Sequence, residues 1–220
     1  MRSGSTLLSQ ILCSHRNIVG YGETHIRYDS DESFVELITK TLWDRHVWRL
    51  SPTYFFDKIL HAELIEDISL LSKMPIDWIL LRRNGVACVR SMVRTFGMSP
   101  EHATAYFKRQ WLTMEHWITE LSRAKNTHIT AVEYDDLINT PDDTLGKLSE
   151  NLGLTPALSR KYNIQRGARK PGAGDSSGQL EHGDISRIHH DIVPVLSPDI
   201  TAELHEIDER NKSLLKILDS

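Results

Sequence analysis

Short apolar runs alternate along this chain with stretches in which apolar residues recur every three or four positions. The short runs predict strands, and the recurring pattern predicts amphipathic helices. The predicted strands are residues 18–21, 53–56, 76–81 and 128–132. The predicted helices cover residues 7–13, 34–42, 60–71, 86–93, 99–121, 140–152 and 200–218.

Three of these helices carry start signals. Ser99-Pro100 combines a capping side chain with a proline in the first helical turn, where a helix tolerates it. Thr140-Pro141, followed by two aspartates, is typical of a variant capping box. For the second helix, either Asp31 or Ser33 is a suitable N-cap.

The order of the elements indicates the fold class. Strands that alternate with helices favour a parallel sheet with helices on both faces. We therefore expect an α/β fold of three layers with a central, mostly parallel sheet. Residues 166–183, rich in glycine and polar side chains, are predicted to form a long loop. No repeat or second domain is evident, so residues 1–220 are predicted to be a single domain.

Composition and charge narrow the function classes. The 220 residues carry a formal net charge of −4, whereas nucleic-acid-binding domains are usually basic. No apolar run approaches the ~20 residues of a membrane span, and the first residues are not typical of a secretory signal. With Cys13 and Cys88 as the only cysteines, a disulfide framework is not expected and a cytoplasmic location fits. The eleven histidines show no metal-binding spacing.

The stretch from Arg2 to Leu8 is typical of a small-residue loop that leads into a helix. In an α/β fold, such a loop presents backbone N–H groups and the positive end of a helix dipole, which together bind anions. Ser5 and Thr6 add hydroxyl donors, and Arg2 adds a guanidinium group that suits phosphate. The alternative is a polar tail that caps the helix. The lysine and second glycine of the ATP- and GTP-binding loop are missing.

A second candidate anion site lies where a strand ends at Arg83. Ser91 follows eight residues later, one to two turns into the next helix, so that both side chains can reach one phosphate. Taken alone, the pair is better explained as a solvated strand end and an ordinary helical serine. Together with the loop at the start of the chain, it favours phosphate binding.

These motifs resemble those of the sulfotransferases that use 3′-phosphoadenosine 5′-phosphosulfate as sulfuryl donor. The family's 5′-phosphosulfate loop typically reads [KR]-S-G-[ST]-[ST]-[WL]-L. Every position of that pattern is matched here, by Arg2, Ser3, Gly4, Ser5, Thr6, Leu7 and Leu8. The resemblance therefore implies a P-loop-like phosphosulfate loop at the start of the first helix.

The family's 3′-phosphate element typically reads R-[DN]-P-x-D-x-x-x-S after a strand. Arg83, Asn84 and Ser91 match it, whereas Gly85 and Ala87 replace the usual Pro and Asp. These two departures affect the turn more than the phosphate ligands.

Two later segments resemble the family as well. The run from Tyr134 to Leu137, followed by Pro141 and by 152–154, is similar to the family's Y-E-D-L…P…L-G-L segment. A later stretch resembles the family's loop that closes over the nucleotide, through Lys170, Pro171, Gly174 and Asp175. The similarity runs in the family's order over nearly the whole chain, which makes it more specific than either phosphate motif.

The resemblance implies transfer of a sulfuryl group to an acceptor hydroxyl or amine, with release of adenosine 3′,5′-bisphosphate and without a metal. The acceptor would be a small molecule, a lipid or a carbohydrate, held around residues 43–54 and 106–117. One alternative is a non-catalytic nucleotide-binding relative. Another is a phosphotransferase similar to nucleotide kinases, which is disfavoured because no G-K-[ST] motif and no clear Mg²⁺-binding aspartate are present.

Four residues near strand ends are candidates for the chemistry. Lys58 matches a family position whose lysine reaches the sulfuryl group or the bridging oxygen, although a surface lysine explains it equally well. Glu23 is the first candidate for the base, because several branches of the family carry a catalytic glutamate there. His61 is the second candidate, one residue too far from Lys58 for the pattern K-x-H, and His25 is the third.

The resemblance also raises a question about the start of the chain. In the family, a buried strand that ends in proline precedes the phosphosulfate loop, and Met1 stands here in the place of that proline. The first strand is thus missing from this sequence. We expect either a natural start further upstream or a shortened chain, with an adapted fold as the alternative.

Overall fold

The computed structural model describes residues 3–20, 22–45, 54–124, 127–164, 183–185 and 193–218. They group into two compact units, which we treat separately. The N-terminal unit comprises the described residues of Gly4–Leu71 and Asp136–Ile188. The C-terminal unit comprises those of Ser72–Asp135 and His189–Ser220, together with Ser3 from the range Met1–Ser3.

The described residues form helices and short strands in alternation. The helices are α1 (Ser5–Ser14), α2 (Glu32–Arg45), α3 (Ile68–Leu71), α4 (Gly85–Phe96), α5 (Pro100–Ser122), α6 (Tyr134–Asn139), α7 (Pro141–Asn151) and α8 (Pro198–Leu218). The strands are β1 (Ile18–Val19), β2 (Tyr54–Phe55), β3 (Asp77–Arg82) and β4 (His128–Glu133). No helix among the described residues is long and apolar enough to cross a membrane.

In the N-terminal unit, α1 supplies much of the core. Its apolar side chains are almost fully buried, namely those of Leu7, Leu8, Ile11 and Leu12. Strand β1 pairs in parallel with β2, and Phe56 N donates to Val19 O at 2.8 Å just beyond the pairing. A Cβ atom on Gly20 would lie 2.5 Å from Phe56 O, so this close approach of the two backbone segments requires glycine.

In the C-terminal unit, β3 and β4 pair in parallel over six residues. Helices α4, α5 and α8 pack together through a buried cluster that includes Val89, Met92, Phe107 and Leu204. The predicted start of α5 is confirmed, since Ser99 Oγ accepts from His102 N at 3.2 Å and Pro100 is the first helical residue. These helices hold the end of β3, which carries the second candidate anion site.

The predicted α/β class with parallel strands is confirmed. The described strands form two sheets of two strands, and β1 and β2 are each shorter than predicted. Residues of β3 and β4 are mostly half-buried. A strand with a single neighbour has one edge without a pairing partner, which accounts for this partial burial.

The prediction of a continuous helix over residues 60–71 is wrong. The structure has a 3₁₀ turn at Ala62–Leu64, an extended Ile65 and only the four residues of α3. Ile65 forms a parallel bridge with Tyr28, and Tyr28 N donates to Leu64 O at 2.7 Å. Pairing with a distant backbone segment therefore overrides the helical spacing of the side chains.

The predicted helices 34–42 and 140–152 form, with different start details. Helix α2 begins at Glu32, directly after Asp31, while Ser33 Oγ donates to Arg27 O at 2.9 Å. Helix α7 begins at Pro141, but Thr140 makes no capping bond through its side chain. Its hydroxyl donates to Asp136 O at 3.2 Å instead, so the predicted capping box is wrong.

Candidate active site

The loop that resembles the family's phosphosulfate loop leads directly into α1. Gly4 is the N-cap and adopts a left-handed conformation with φ 90°, which glycine tolerates best. The first intrahelical bond is donated by Leu8 N to Gly4 O at 3.2 Å. The N–H groups of the preceding turn have no acceptor within the helix, as at every helix start. This end of α1 therefore presents donors and a positive dipole end.

The side chains of the loop divide into two groups. Ser3, Ser5 and Thr6 are half-buried at the helix start. Leu7, in contrast, is a core residue with 1% of its surface exposed. Of Leu7, only the backbone can take part in binding an anion.

Three predicted site residues from separate parts of the chain come together in the N-terminal unit. Lys58 Nζ lies 3.0 Å from Glu23 Oε1 and 3.4 Å from Thr6 Oγ1. Glu23 follows β1 and Lys58 follows β2. Because these strands are parallel neighbours, their carboxyl ends lie at one edge, where α/β folds bind ligands. The side chains of Lys58 and Glu23 are 9% and 23% exposed, so Lys58 is not an ordinary surface lysine.

The side chains of the two candidate histidines are more exposed than those of Lys58 and Glu23. His25 Nε2 is 3.9 Å from Glu23 Oε2, and the His25 side chain is 65% exposed. The ring centroids of His25 and His61 are 6.3 Å apart. His61 Nδ1 also lies 3.8 Å from Glu63 Oε1. The structure thus groups all three candidate bases near one strand edge, with Glu23 next to the lysine.

Asp57 is a residue of this region that the sequence analysis overlooked. Its Oδ1 accepts from Thr24 N at 2.9 Å and from Lys58 N at 2.8 Å. Its Oδ2 accepts from Thr24 Oγ1 at 2.6 Å and from Tyr28 Oη at 2.7 Å. An aspartate directly after a strand, and directly before a candidate catalytic lysine, is the sequence signal that could have identified it.

Tyr28 is a permanent donor to this aspartate. Burial of the phenol, and then the negative charge of Asp57 and the hydrogen bond to it, raise the pKa of Tyr28 above its usual value. The phenol therefore keeps its proton at every pH at which the chain would work.

The second candidate anion site lies in the C-terminal unit, where β3 passes into α4. The Arg83 guanidinium carbon lies 4.3 Å from the centroid of the Tyr134 ring, a cation–π contact. Ser91 lies within α4 and is 4% exposed. Asn84 caps α4, since its side chain accepts from Ala87 N at 3.1 Å.

Asp208, on α8, joins this turn through a set of hydrogen bonds that the sequence analysis also overlooked. Gly85 N donates to Asp208 Oδ2 at 2.9 Å and to Oδ1 at 3.1 Å, and Asn84 Nδ2 donates to Oδ2 at 3.0 Å. The Arg82 guanidinium pairs with Glu133 and lies 3.8 Å from Asp208 Oδ1. Burial raises the pKa of Asp208, while the hydrogen bond from Gly85 N and the positive charge of Arg82 act to lower it.

These bonds give a structural reason for Gly85 in the place of the family's proline. A proline has no N–H to donate to Asp208. A Cβ atom at this position would also lie 2.9 Å from Phe107 Cε1. The signal for Asp208 was present in the sequence, since polar residues interrupt the apolar stripe of α8 at Asp208 and Asn211, both buried.

The remaining predicted residues lie outside the described part of the chain. They are Arg2, Lys170, Gly174 and Asp175. Within the described residues, no three His, Cys, Asp or Glu side chains are grouped so that they could hold a metal ion.

Solved sulfotransferase domains have a similar structure. One, from the curacin biosynthetic pathway, gives a TM-score of 0.65 at 17% sequence identity, over 96% of this chain and 94% of that chain. Another, from the Synechococcus PCC 7002 olefin synthase, gives 0.52 at 17% identity, over 94% of this chain and 91% of that chain. No protein-family model and no curated protein matches the sequence. The resemblance predicted from the motifs is confirmed at the level of the fold.

Proposed function

We propose that this chain is a sulfotransferase that uses 3′-phosphoadenosine 5′-phosphosulfate as sulfuryl donor and modifies an acceptor hydroxyl or amine. One observation carries the proposal: Thr6, Glu23 and Lys58 meet where α1 begins and where β1 and β2 end. A helix start that binds anions, a nearly buried cation and a carboxylate are the groups that sulfuryl transfer requires. The fold of the two solved sulfotransferase domains supports the same reaction class.

In this proposal, the start of α1 binds the 5′-phosphosulfate. Backbone N–H groups of the first turn and the hydroxyls of Ser5 and Thr6 donate to its oxygens, and the helix dipole favours its negative charge. Arg2 adds a cation to the same group. The loop that contains Lys170, Gly174 and Asp175 then covers the nucleotide, as the resemblance implies.

Arg83 and Ser91 bind the 3′-phosphate in the proposed complex. The contact between Arg83 and the Tyr134 ring restricts the orientation of the guanidinium group. A planar guanidinium that is already oriented loses less conformational freedom when it binds a phosphate. Tyr134 therefore assists nucleotide binding by orienting Arg83.

The proposed reaction requires one proton acceptor and one stabilising cation. The acceptor oxygen attacks sulfur, the bond from sulfur to the bridging phosphate oxygen breaks, and adenosine 3′,5′-bisphosphate leaves. Glu23 takes the proton of the acceptor hydroxyl, and Lys58 donates to the oxygen on which negative charge develops. If Glu23 is not the base, His61 and then His25 are the next candidates.

Nucleotide binding tests the proposal without knowledge of the acceptor. Adenosine 3′,5′-bisphosphate is expected to raise the melting temperature of the chain, because a ligand that binds only the native state stabilises it. ATP with Mg²⁺ at the same concentration is expected to raise it much less. A larger shift with Mg-ATP would contradict the proposal and favour the kinase-like alternative.

A turnover assay separates the enzyme from the non-catalytic alternative. The chain is mixed with the sulfuryl donor and a panel of simple alcohols, phenols and amines, and the released bisphosphate is measured. Release that depends on one acceptor class supports the proposal. Bisphosphate binding without any release above the rate in buffer would favour a nucleotide-binding relative.

A further inference from the structure

Two adjacent residues after β2 hold the segment that carries the proposed base. Lys58 contacts the Glu23 side chain, while Asp57 accepts from the backbone N–H and the hydroxyl of Thr24, the next residue. Lys58 N also donates to Gly22 O at 3.2 Å. The position of Glu23 relative to Lys58 is thus determined by contacts on both sides of Glu23.

The segment around Glu23 keeps its shape through tertiary contacts rather than through regular secondary structure. Residues 23–27 lie outside regular helix and strand. Gly22 has φ 122° and His25 has φ 57°, the second a conformation that residues other than glycine rarely adopt. A backbone of this kind persists only where its surroundings determine it. Asp57 belongs to these surroundings, because it accepts hydrogen bonds from Thr24 and Tyr28, which lie on either side of His25 in the chain.

We propose that Asp57 is a positioning residue that sets the place of Glu23 for proton transfer and takes no proton itself. This inference rests on the proposed function, in which Glu23 is the base. A carboxylate offers about four lone-pair sites, and four donors occupy those of Asp57, namely Thr24 N, Thr24 Oγ1, Tyr28 Oη and Lys58 N. It therefore has no site left for the proton of an acceptor hydroxyl.

The variant Asp57→Asn tests this role, because an amide keeps the size of the group but replaces one acceptor oxygen by a donor. With the amide nitrogen in the place of Oδ2, neither the Tyr28 hydroxyl nor the Thr24 hydroxyl can donate to this group. Single-turnover transfer is expected to fall by roughly 10- to 100-fold, since small displacements of a reacting group have effects of that size. Affinity for adenosine 3′,5′-bisphosphate is expected to stay within about twofold, because Asp57 accepts its hydrogen bonds from Thr24, Tyr28 and Lys58 N rather than from groups of the loop before α1.

A matched control is Asp67→Asn. Asp67 accepts from Ser69 N and Ser69 Oγ, both at 2.8 Å, the same pair of groups that Thr24 donates to Asp57. Its loss is expected to leave turnover unchanged. Equal turnover in the Asp57→Asn and Asp67→Asn variants would overturn the inference, as would an equal fall in turnover and in bisphosphate affinity.

The double variant Asp57→Asn/Glu23→Gln separates positioning from a general structural role. If Asp57 acts through Glu23, the double variant is expected to be no slower than Glu23→Gln alone. The inference would be overturned if the double variant lost turnover by the product of the two single-variant losses. Should Glu23→Gln alone keep near-native turnover, the assignment of the base fails; should it be slow while Asp57→Asn is fast, only the role of Asp57 fails.

Two milder variants repeat the test if Asp57→Asn does not fold. Tyr28→Phe and Thr24→Val each remove one hydroxyl donor to Asp57 and leave the backbone bonds in place. Each is expected to slow turnover by about two- to tenfold, without further loss in a Glu23→Gln background. Native turnover in both folded variants would contradict the proposal.

Discussion

The two units differ in how they hold their candidate site residues. In the N-terminal unit, Glu23 and Lys58 lie just beyond strands of two residues, and side-chain contacts hold them in place. In the C-terminal unit, Arg83 follows a six-residue strand and Ser91 lies within α4, a helix that contributes several residues to a buried cluster. Regular secondary structure thus holds the pair proposed to bind the 3′-phosphate, Arg83 and Ser91. Side-chain contacts hold the pair proposed for the reaction, Glu23 and Lys58.

Each unit nevertheless relies on an aspartate from outside the recognised motifs. Asp57 is next to Lys58 in the chain and accepts hydrogen bonds from Thr24 in a neighbouring segment. Asp208 lies on α8, 123 residues from Gly85 in the chain. The first arrangement positions the groups proposed for the reaction, and the second joins a turn to the core. Substitutions of Glu23 and Asp57 should therefore change the rate more than stability or bisphosphate affinity. Those in the C-terminal unit should change affinity and stability.

The largest effect is expected for Glu23→Gln, which removes the proposed base from the N-terminal unit. Turnover should fall by about 10²- to 10⁴-fold, the usual range for a lost general base. Bisphosphate affinity should be nearly unchanged, and both are measured by single-turnover transfer and by calorimetry. The control is Glu63→Gln, an exposed carboxylate near His61, which should keep native turnover. A slow His61→Asn beside a fast Glu23→Gln would move the base to His61, and a slow His25→Asn would move it to His25.

The next largest effect is expected for Arg83→Ala in the C-terminal unit. Binding of adenosine 3′,5′-bisphosphate should weaken by roughly 1.5–3 kcal/mol, the scale of a hydrogen bond to a charged group. Adenosine 5′-phosphosulfate, which lacks the 3′-phosphate, should bind as before. Arg109→Ala is the matched control, since Arg109 also lies over a tyrosine ring, that of Tyr106. Equal weakening of both nucleotides would refute the assignment of Arg83 to the 3′-phosphate.

Two glycine substitutions test whether packing holds the turn of the phosphate element. Gly85→Ala places a Cβ atom 2.9 Å from Phe107 Cε1 and should lower the free energy of unfolding by about 1–3 kcal/mol. Gly146→Ala, within α7 and without a close neighbour, should instead raise it by up to about 1 kcal/mol. Denaturant melts of both variants give the comparison. The packing argument is wrong if Gly85→Ala is as stable as the parent chain.

The smallest effect is a pH dependence in the N-terminal unit. Burial raises the pKa of Tyr28 above its ordinary value of 10.0, so the folded chain keeps a proton that the unfolded chain releases above that pH. The stabilisation from this group is complete below pH 10 and is lost as the pH rises further. A titration followed by tyrosinate absorbance should show a late step that is absent in Tyr28→Phe. The same late step in that variant would exclude Tyr28 as its source.

Local patterns predicted most of the fold. Strand-like runs, helical spacing and Ser99-Pro100 depend on contacts within a few residues, and the structure forms these elements near the predicted positions. The parallel α/β class follows from their alternation. The two phosphate motifs were also recognisable, because a loop at a helix start and a residue eight positions into the next helix are arranged by the backbone itself.

A distant segment explains one failed prediction, and a hydrogen bond to a carbonyl four residues earlier explains another. Residues 60–71 have helical spacing, but the bridge from Ile65 to Tyr28 interrupts the helix. Thr140 has a capping side chain, but its hydroxyl donates to Asp136 O. Local propensities of this size are small compared with the contacts that tertiary structure adds or removes.

Only the tertiary structure decided which candidate residues touch. The sequence by itself supplied Glu23, Lys58, His61 and His25 as separate candidates near strand ends, and the parallel pairing of β1 with β2 brought the first two to 3.0 Å. Asp57 and Asp208 gained their roles in the same way, through donors 33 and 123 residues distant. Periodic patterns encode which side of an element is buried, but a hydrogen bond between distant side chains depends on which elements become neighbours.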